Sequence, residues 1–471
     1  MERQNQMLDG QPGAVLIRFA LPMILGNLFQ QCYNIVDSAV VGRFVGEQAL
    51  AAVGASYAIT NVFIAVAIGG GVGCAVLISQ FLGAGRLKRM KTAVSTTLIQ
   101  FLAVSLVFGL LGTAGSSWIL HALRVPADVL PEAAAYLRIY FIGLPFLFMY
   151  NVQAAVFNAL GDSRTPFGLL IFSSLLNIVL DLYLVIRAGL GVPGVAYATL
   201  AAQGISAIAS FGLLVRRLRG DGEESGTATG GAAGKTVTEE EIFRFYDGQI
   251  LGSMIRVEIP SILQQSIVHM GMLLVQSVIN TFGSAVLAGY SAGMRIESLS
   301  IVPMQAMGNA MSTFTAQNMG AGNPERVKAG YKACVAWVFV FAVCIFGFLR
   351  SFGGTCLSLF LDADASREAA ATAFSYVNFI SFFFVLIGLK MVSDGALRGA
   401  GDVTVFTIAN LANLSVRVFV ANYFAPRLGA EFVWYAIPIG WLVNFIISFM
   451  WYRTGHWEQI RLTGSKIEKN S

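Results

Sequence analysis

Residues 80–85 read QFLGAG and residues 317–322 read QNMGAG, so one Q-x-x-G-A-G segment occurs twice, 237 positions apart. A Gly-Asp pair also recurs, as Gly161-Asp162 and Gly401-Asp402. Because glycines at matching places repeat in the same order, the two halves of the chain are predicted to be copies of one structural unit. Neither segment alone is specific, but their order and repetition are hard to produce by composition.

Charged residues are scarce between and around these segments. Only 12% of the 471 residues are charged and 56% are apolar, whereas a soluble domain carries about 25% charged residues. Most of the uncharged stretches reach the roughly 18–20 apolar residues that a membrane-spanning helix needs. They are 19–36, 48–85, 92–120, 139–161, 165–180, 188–215, 259–294, 298–324, 333–349, 369–389, 403–416 and 432–452. This composition excludes a soluble enzyme, a disulfide scaffold and a disordered protein.

Twelve stretches in two copies predict an all-α polytopic membrane protein with twelve transmembrane helices in two six-helix lobes. Six spans per copy is an even number, so both copies enter the membrane in the same orientation. The lobes are then related by a pseudo-two-fold axis along the membrane normal, as in transporters built from parallel repeats. We expect an N-lobe at 1–215, a cytoplasmic linker at 216–248, a C-lobe at 249–453 and a cytoplasmic tail at 454–471.

Lysine and arginine concentrate in the loops after the second, sixth and eighth stretches and in the tail. These segments share one face of a twelve-span protein, and basic loops lie on the cytoplasmic side. We therefore expect a multi-pass protein of the cell membrane with both termini in the cytoplasm.

Two spans of the first half carry aspartate in a polar stripe. Asn34 and Asp37 lie along one face of the first span, and Asn177 and Asp181 are four residues apart in the fifth. An aspartate at the membrane centre costs about 2.5–3.5 kcal/mol on insertion scales. A structural interpretation pairs Asp37 with Arg43 and Asp181 with Arg187. The functional interpretation is a cation site.

Two carboxylates removed from water cannot both ionise easily, so a proton can bind between them. Oxygen atoms of Asn177 and Thr199 could instead complete a shell around Na⁺, a hard cation that prefers oxygen donors. The sequence leaves the choice between H⁺ and Na⁺ open, and predicts no metal beyond that Na⁺ at Asp37 and Asp181.

The second half differs from the first. Its first span carries Gln265, His269 and Met272 without an acid in the stripe, and Met304, Met307 and Met311 form a stripe in the next span. Both sets are candidates for a substrate cavity, although a neutral interior histidine and ordinary methionine packing are the simpler interpretations. Lys390 and Asp394 are four residues apart and could pair within one helix, and Arg417 lies where the first half has Asp181.

The Q-x-x-G-A-G segments, the Gly-Asp turns and Pro22 of the first span make the chain similar, over essentially its whole length, to the multidrug and toxic compound extrusion (MATE) family of cation-coupled antiporters. The resemblance implies export of organic cations against a Na⁺ or H⁺ gradient by alternating access of two lobes. It also implies a coupling site at Asp37, Asn177, Asp181 and Thr199, with Asn151 or Gln153 as the amide of the fourth span.

Two other functions stay open at this point. A flippase for lipid-linked glycans or other lipids would use a cationic cavity, for which Lys390 and Arg417 are candidates. An intramembrane enzyme is disfavoured because no catalytic motif is visible, and we expect the chain not to be an enzyme. We expect no cofactor apart from the coupling ion, partners limited to small molecules and membrane lipid, no nucleic acid, and a monomer.

Overall fold

A computed structural model describes residues 7–45, 47–123, 125–126, 129–227, 243–361, 366–460 and 462, and it leaves out the side chains of 36–43, 47–51, 55, 57–58, 220–227, 268–269 and 272. This part of the chain forms fourteen α-helices and no strand. The helices are α1 (Pro12–Phe44), α2 (Glu47–Gly83), α3 (Leu87–Ala122), α4 (Leu130–Ala159), α5 (Arg164–Asp181), α6 (Gly191–Thr227), α7 (Gly248–Ile279), α8 (Ser284–Ser300), α9 (Val302–Gly320), α10 (Pro324–Ser358), α11 (Arg367–Ser381), α12 (Phe384–Ala400), α13 (Val403–Leu428) and α14 (Glu431–Thr454).

The described helices are long and apolar enough for a membrane. Nine of them meet the length and hydropathy that a span requires, and α11 with α12 forms a tenth that bends by 53° at its break. The prediction of an all-helical, multi-pass membrane protein is confirmed.

The helices group into two compact units. The N-unit comprises Leu25–Ile262, and the C-unit combines Met1–Ile24 with Leu263–Ser471. This division differs from the predicted lobes, because α1 and α7 each belong to both units. Each helix divides two residues after an internal proline, Pro22 in α1 and Pro260 in α7.

Within the N-unit, the first half of α7 packs directly on α2. A Cβ atom on Gly69 would lie 2.7 Å from the Cα of Ile262, so only glycine allows the two backbones this close. The preceding residues 243–247 are irregular and bind to α3, where the backbone N–H of Arg244 donates to Thr92 Oγ1 at 3.0 Å. These contacts explain why the start of α7 belongs to the N-unit.

Within the C-unit, the residues before α1 are held in an equivalent way by α10. Arg326 donates to the carbonyl oxygens of Asp9 and Gly10, both at 2.8 Å. Trp337 donates to the carbonyl of Gly13 at 3.1 Å. Each unit thus holds the beginning of the first helix of the other repeat.

The repeated Gly-Asp pairs form matching turns. Gly161 and Gly401 have φ angles of 79° and 89°, a left-handed conformation that favours glycine. Asp162 accepts two backbone N–H groups in the first turn of α5, both at 3.1 Å, and Asp402 accepts the indole N–H of Trp451 at 2.6 Å. Each repeated glycine therefore ends a helix, whereas the aspartates differ: Asp162 bonds to the start of the next helix and Asp402 bonds to α14.

The segment expected to be a linker is partly helical. Helix α6 continues to Thr227, so the region predicted as linker at 216–248 begins inside a helix. Extending an existing helix needs no new nucleation, which offsets the weak helix propensity of the glycines there. Residues 228–242 lie outside the described residues.

Candidate functional site

Helix α5 has an interior face that is almost entirely polar. Its buried residues after Leu169 are Ser173, Ser174, Asn177 and Asp181, while the apolar Leu175 and Val179 are exposed on the outside. Polar groups within a membrane protein face the interior of the bundle because lipid cannot hydrogen-bond them. The stripe predicted from the spacing of residues 174, 177 and 181 therefore faces inward.

The α-helical geometry of α5 ends at Asp181. Residues Leu182–Arg187 form a π-helix, in which Ala188 N–H bonds to the carbonyl of Tyr183 at 3.0 Å. Short π-helical segments are rare and occur frequently at functional sites. Asp181 itself is only 1% exposed, so this widened turn begins directly beside a buried carboxyl group.

Asn177 connects three helices of the N-unit. Its amide contacts the hydroxyl of Tyr33 on α1. In the orientation that matches each amide atom to a complementary partner, Nδ2 donates to Asp181 Oδ2 at 3.0 Å and Oδ1 accepts from the backbone N–H of Thr199 at 3.1 Å. Asp181, Asn177 and Thr199, predicted as parts of one site, thus lie together in the structure.

The partners of Asp37 cannot be compared in the same way, because its side chain lies outside the described residues. Its backbone belongs to α1, one helical turn beyond Tyr33, so the two residues share a face of the helix. Asn34 is exposed, and it accepts a hydrogen bond from Gln30 at 3.0 Å.

The two amides considered for the fourth span lie apart from this group. Asn151 donates to the carbonyl of Leu147 in its own helix at 2.9 Å, and Gln153 is buried on the same helix. Within the described part of the chain, no hydrogen bond joins either amide to Asn177 or Asp181. The alternative pairing of Asp181 with Arg187 also does not form there, and Arg187 is exposed.

A pocket of the N-unit opens beside Thr199. It is small and is bounded by α4 and α6, with Tyr136, Tyr140, Thr199 and Gln203 among its lining residues. Tyrosine faces attract organic cations and stack on aromatic rings. Thr199 therefore borders both the Asp181 group and a small pocket with an aromatic lining.

The C-unit contains a different buried polar group. Lys390 and Asp394 of α12 form an ion pair at 3.0 Å, which confirms the predicted pairing. Lys390 also donates to Asn410 at 3.1 Å, and Ser448 donates to Asp394 Oδ1 at 2.7 Å. The ammonium group thus contacts Asp394 Oδ2 and Asn410 Oδ1 within the fold.

The candidate cavity residues of the second half divide into two sets. Met304, Met307 and Met311 are fully buried, and Met304 packs beside Gly388 of α12, which is the arrangement that ordinary helix packing predicts. Gln265 is half-buried. The side chains of His269 and Met272 lie outside the described residues.

Several features of the site were not predicted from the sequence. Tyr33 contacts Asn177 across 144 positions of sequence, and no spacing pattern connects residues so distant. The π-helix has no signal in the residue types of LYLVIR. Arg417 of α13 packs against Gly440 of α14, where an added Cβ would lie 2.6 Å from its side chain.

A family model described as MatE matches residues 22–183 and 260–424. The chain is 29% identical over 452 residues to the probable multidrug resistance protein YpnP of Bacillus subtilis (strain 168), covering 96% of this chain and 97% of that protein. It is 23% identical over 453 residues to the probable multidrug resistance protein NorM of Thermotoga maritima, covering 94% and 93% of the two chains.

The fold is also similar to a solved structure described as the outward-facing conformation of a multidrug resistance MATE family transporter of the MOP superfamily. The TM-score is 0.85 at 26% identity, covering 96% of this chain and 97% of that one. Structures of MATE transporters have twelve helices in two lobes, which confirms the predicted fold class. The chain therefore belongs to the MatE family and is a multi-pass membrane transporter, not an enzyme.

Proposed function

We propose that this transporter exports organic compounds in exchange for H⁺ or Na⁺, and that the coupling ion binds at Asp181, Asn177 and Thr199 of the N-unit together with Asp37. The observation that carries the proposal is the position of Asp181, a buried carboxyl group that accepts a hydrogen bond from the amide linking α1, α5 and α6. A buried carboxylate is costly without a proton or a cation. The affinity of Asp181 for the ion should therefore be high in a conformation that buries it and lower in one that exposes it to water.

The same group suits either coupling ion. Protonation removes the charge of Asp181, whereas Na⁺ would use the oxygen atoms of Asp181, Asn177 and Thr199. Each ligand shifts the conformational equilibrium only by its differential affinity for the two states. The ion is exchanged for the substrate if the two ligands stabilise different conformations of α1, α5 and α6. No cofactor beyond the ion is required.

Amphipathic organic cations are the substrate class that the site favours. Tyr136 and Tyr140 supply aromatic surface in the pocket beside Thr199, and the carboxylate of Asp181 supplies negative charge nearby. The relatives named as multidrug resistance proteins support this class. Their bacterial origin supports a location in the cell membrane, and the basic loops support cytoplasmic termini. We further propose that the protein acts as a monomer.

The structure bears on Lys390, one of the two cations, with Arg417, that the flippase alternative would use. Lys390 was a candidate for binding a lipid pyrophosphate, but its charge is neutralised by Asp394 at 3.0 Å in a buried cluster. Drug export remains the proposed function because the relatives are named as multidrug resistance proteins.

The test is efflux of a fluorescent cationic dye from proteoliposomes, with pH and Na⁺ gradients imposed separately. We expect one gradient to drive efflux by the wild-type protein, and Asp181→Asn to reduce that efflux to the level of empty vesicles. Glu325→Gln, which neutralises an exposed carboxylate of α10, is the matched control and should transport normally. Normal gradient-driven efflux by Asp181→Asn would overturn the proposal, as would competition by lipid-linked sugars but not by organic cations.

A further inference from the structure

A second buried carboxyl group lies in the N-unit, away from the proposed coupling site. Glu258 of α7 is 3% exposed and precedes Pro260 by two residues. It stands directly before the uncharged stretch that begins at residue 259, so its position in the sequence suggests only the end of a span. In the structure it lies in the interior, between α7, α2 and α3.

Close helix packing places the carboxyl group there. A Cβ atom on Gly73 of α2 would lie 2.5 Å from the Cα of Glu258, and one on Gly69 would lie 2.7 Å from the Cα of Ile262. The backbones of α2 and α7 are therefore in contact over one helical turn. This contact covers the side chain of Glu258, which is 3% exposed.

Both carboxyl oxygens have neutral partners. Cys74 of α2 donates to Oε1 with Sγ at 2.7 Å, and Gln100 of α3 donates to Oε2 with Nε2 at 2.6 Å. Nearby, the hydroxyl of Thr97 contacts Met254 and that of Ser261 bonds to its own helix backbone.

No positive charge compensates this group within the described residues. Cys74 is the only other titratable side chain that contacts Glu258 there, and no lysine, arginine or histidine nitrogen lies within 4 Å of the carboxyl. Arg256 of the same helix is exposed. Moving an ionised carboxylate out of water without a counter-charge is far more costly than moving the neutral acid.

The amide of Gln100 can also bond to the neutral acid, because it carries an acceptor oxygen as well as a donor nitrogen. Gln100 Oε1 has no hydrogen-bond partner among the described atoms. Rotation of the amide by half a turn would direct this oxygen to Glu258, where it would accept the proton of the acid.

We propose that Glu258 is a separate proton-binding site, and that the proton it shares with Gln100 keeps the first half of α7 packed on α2 and α3. Loss of the proton leaves a carboxylate that must be hydrated, and hydration requires α7 to separate from Gly69 and Gly73. Because α7 contributes to both units, this site controls how firmly a shared helix is held in the N-unit. The inference does not depend on which substrate is exported.

The first test is infrared spectroscopy of the purified full-length protein at neutral pH, in which the spectrum of each variant is subtracted from that of the wild type. We expect the wild-type spectrum to contain a carbonyl band of a protonated carboxyl group that Glu258→Gln lacks. The control Glu325→Gln, which removes an exposed carboxylate, should keep the band. Identical carboxyl bands in the wild type and in Glu258→Gln would overturn the assignment.

The second test uses two cysteines as internal probes. Cys74 and Cys334 are both 0% exposed, but only Cys74 contacts Glu258. Both cysteines are labelled with a neutral maleimide, and mass spectrometry gives the labelling rate of each. The ratio of the Cys74 rate to the Cys334 rate largely cancels the effects of pH that are common to both thiols. We expect this ratio to rise about tenfold per pH unit where the ionised form of Glu258 is minor, and to be independent of pH in Glu258→Gln.

A ratio that stays constant in the folded wild-type protein would contradict the proposal. A ratio that changes with Na⁺ at constant pH would show a metal cation instead of a proton, and would also contradict it. If Glu258→Gln does not fold, Gln100→Met provides the check. It removes the hydrogen bond through which Gln100 holds the neutral acid, so the rise should move to lower pH, and an unmoved curve would overturn the role of Gln100.

Discussion

The two units bury an aspartate in different electrostatic surroundings. Asp181 of the N-unit is 1% exposed and accepts a hydrogen bond from the neutral amide of Asn177. Asp394 of the C-unit is 3% exposed and is paired with the ammonium group of Lys390 at 3.0 Å, with Asn410 bonded to both. The counter-charge of Asp394 is thus a lysine side chain of the same helix, α12.

This difference indicates a division of roles. A lysine ammonium cannot leave its site, so the Lys390–Asp394 pair neutralises Asp394 permanently and leaves no need for an exchangeable ion. The group around Asp181 combines an acid with amide and hydroxyl oxygens, and on the proposed function it would gain and lose H⁺ or Na⁺. On the proposed function, the charges within the two copies of the repeat would decide which copy exchanges ions.

The largest effects should come from neutralising each of the two aspartates separately. We expect Asp181→Asn to abolish gradient-driven dye efflux while the protein remains folded, because the amide preserves the hydrogen bonds but not the ion affinity. Asp394→Asn should instead destabilise the protein by about 3–5 kcal/mol, since it leaves the Lys390 ammonium buried without a counter-charge. Efflux per folded molecule and thermal unfolding in detergent measure the two effects.

The comparison breaks down if the outcomes are reversed. An Asp394→Asn protein that folds normally but loses coupling would place ion exchange in the C-unit. An unfolded Asp181→Asn protein would assign a structural role to the N-unit carboxylate.

Removing the Lys390 ammonium group tests the same contrast by leaving Asp394 without its counter-charge. Lys390→Met should lower the free energy of unfolding by about 3–5 kcal/mol because it leaves Asp394 uncompensated. The double variant Lys390→Met/Asp394→Leu should recover most of this loss. Lys328→Met, at an exposed pair with Glu325, should change stability by no more than about 1 kcal/mol. Equal losses at Lys390 and Lys328 would contradict the importance of burial.

Residue patterns predicted the helices, the repeat and the face of α5 that carries Asn177 and Asp181, because helical periodicity and glycine turns are local. The Lys390–Asp394 pair was predictable for the same reason, since i and i+4 meet on a helix. Three features depend on packing between distant segments and could not be predicted: the contact of Tyr33 with Asn177, the membership of α1 and α7 in both units, and the burial of Glu258. The last follows from the approach of α2 to α7, which only the folded chain shows.

A smaller effect is expected from Ser448→Ala. Its hydroxyl donates to Asp394 Oδ1 at 2.7 Å, and a hydrogen bond to a charged group contributes about 1.5–3 kcal/mol to stability. We expect a loss in this range in thermal unfolding, with unchanged ion dependence of efflux. An altered ion dependence would connect the C-unit cluster to coupling.

The smallest effect should follow Tyr33→Phe. Losing one neutral hydrogen bond to Asn177 corresponds to about 0.5–1.5 kcal/mol, which weakens the support that Asn177 gives to ionised Asp181. The pH dependence of efflux should then move to higher pH by about one unit or less. A shift to lower pH, or complete loss of transport, would show that Tyr33 acts in another way.

Ion displacement by substrate tests the central claim most directly. Purified protein in weakly buffered detergent solution is titrated with the cationic dye, while released protons are followed with a pH indicator and bound radioactive sodium is measured in parallel. We predict that dye binding releases H⁺ or Na⁺ from the wild-type protein and from Lys390→Met/Asp394→Leu, but not from Asp181→Asn. Release from Asp181→Asn equal to that from the wild-type protein would contradict an ion-exchange site in the N-unit.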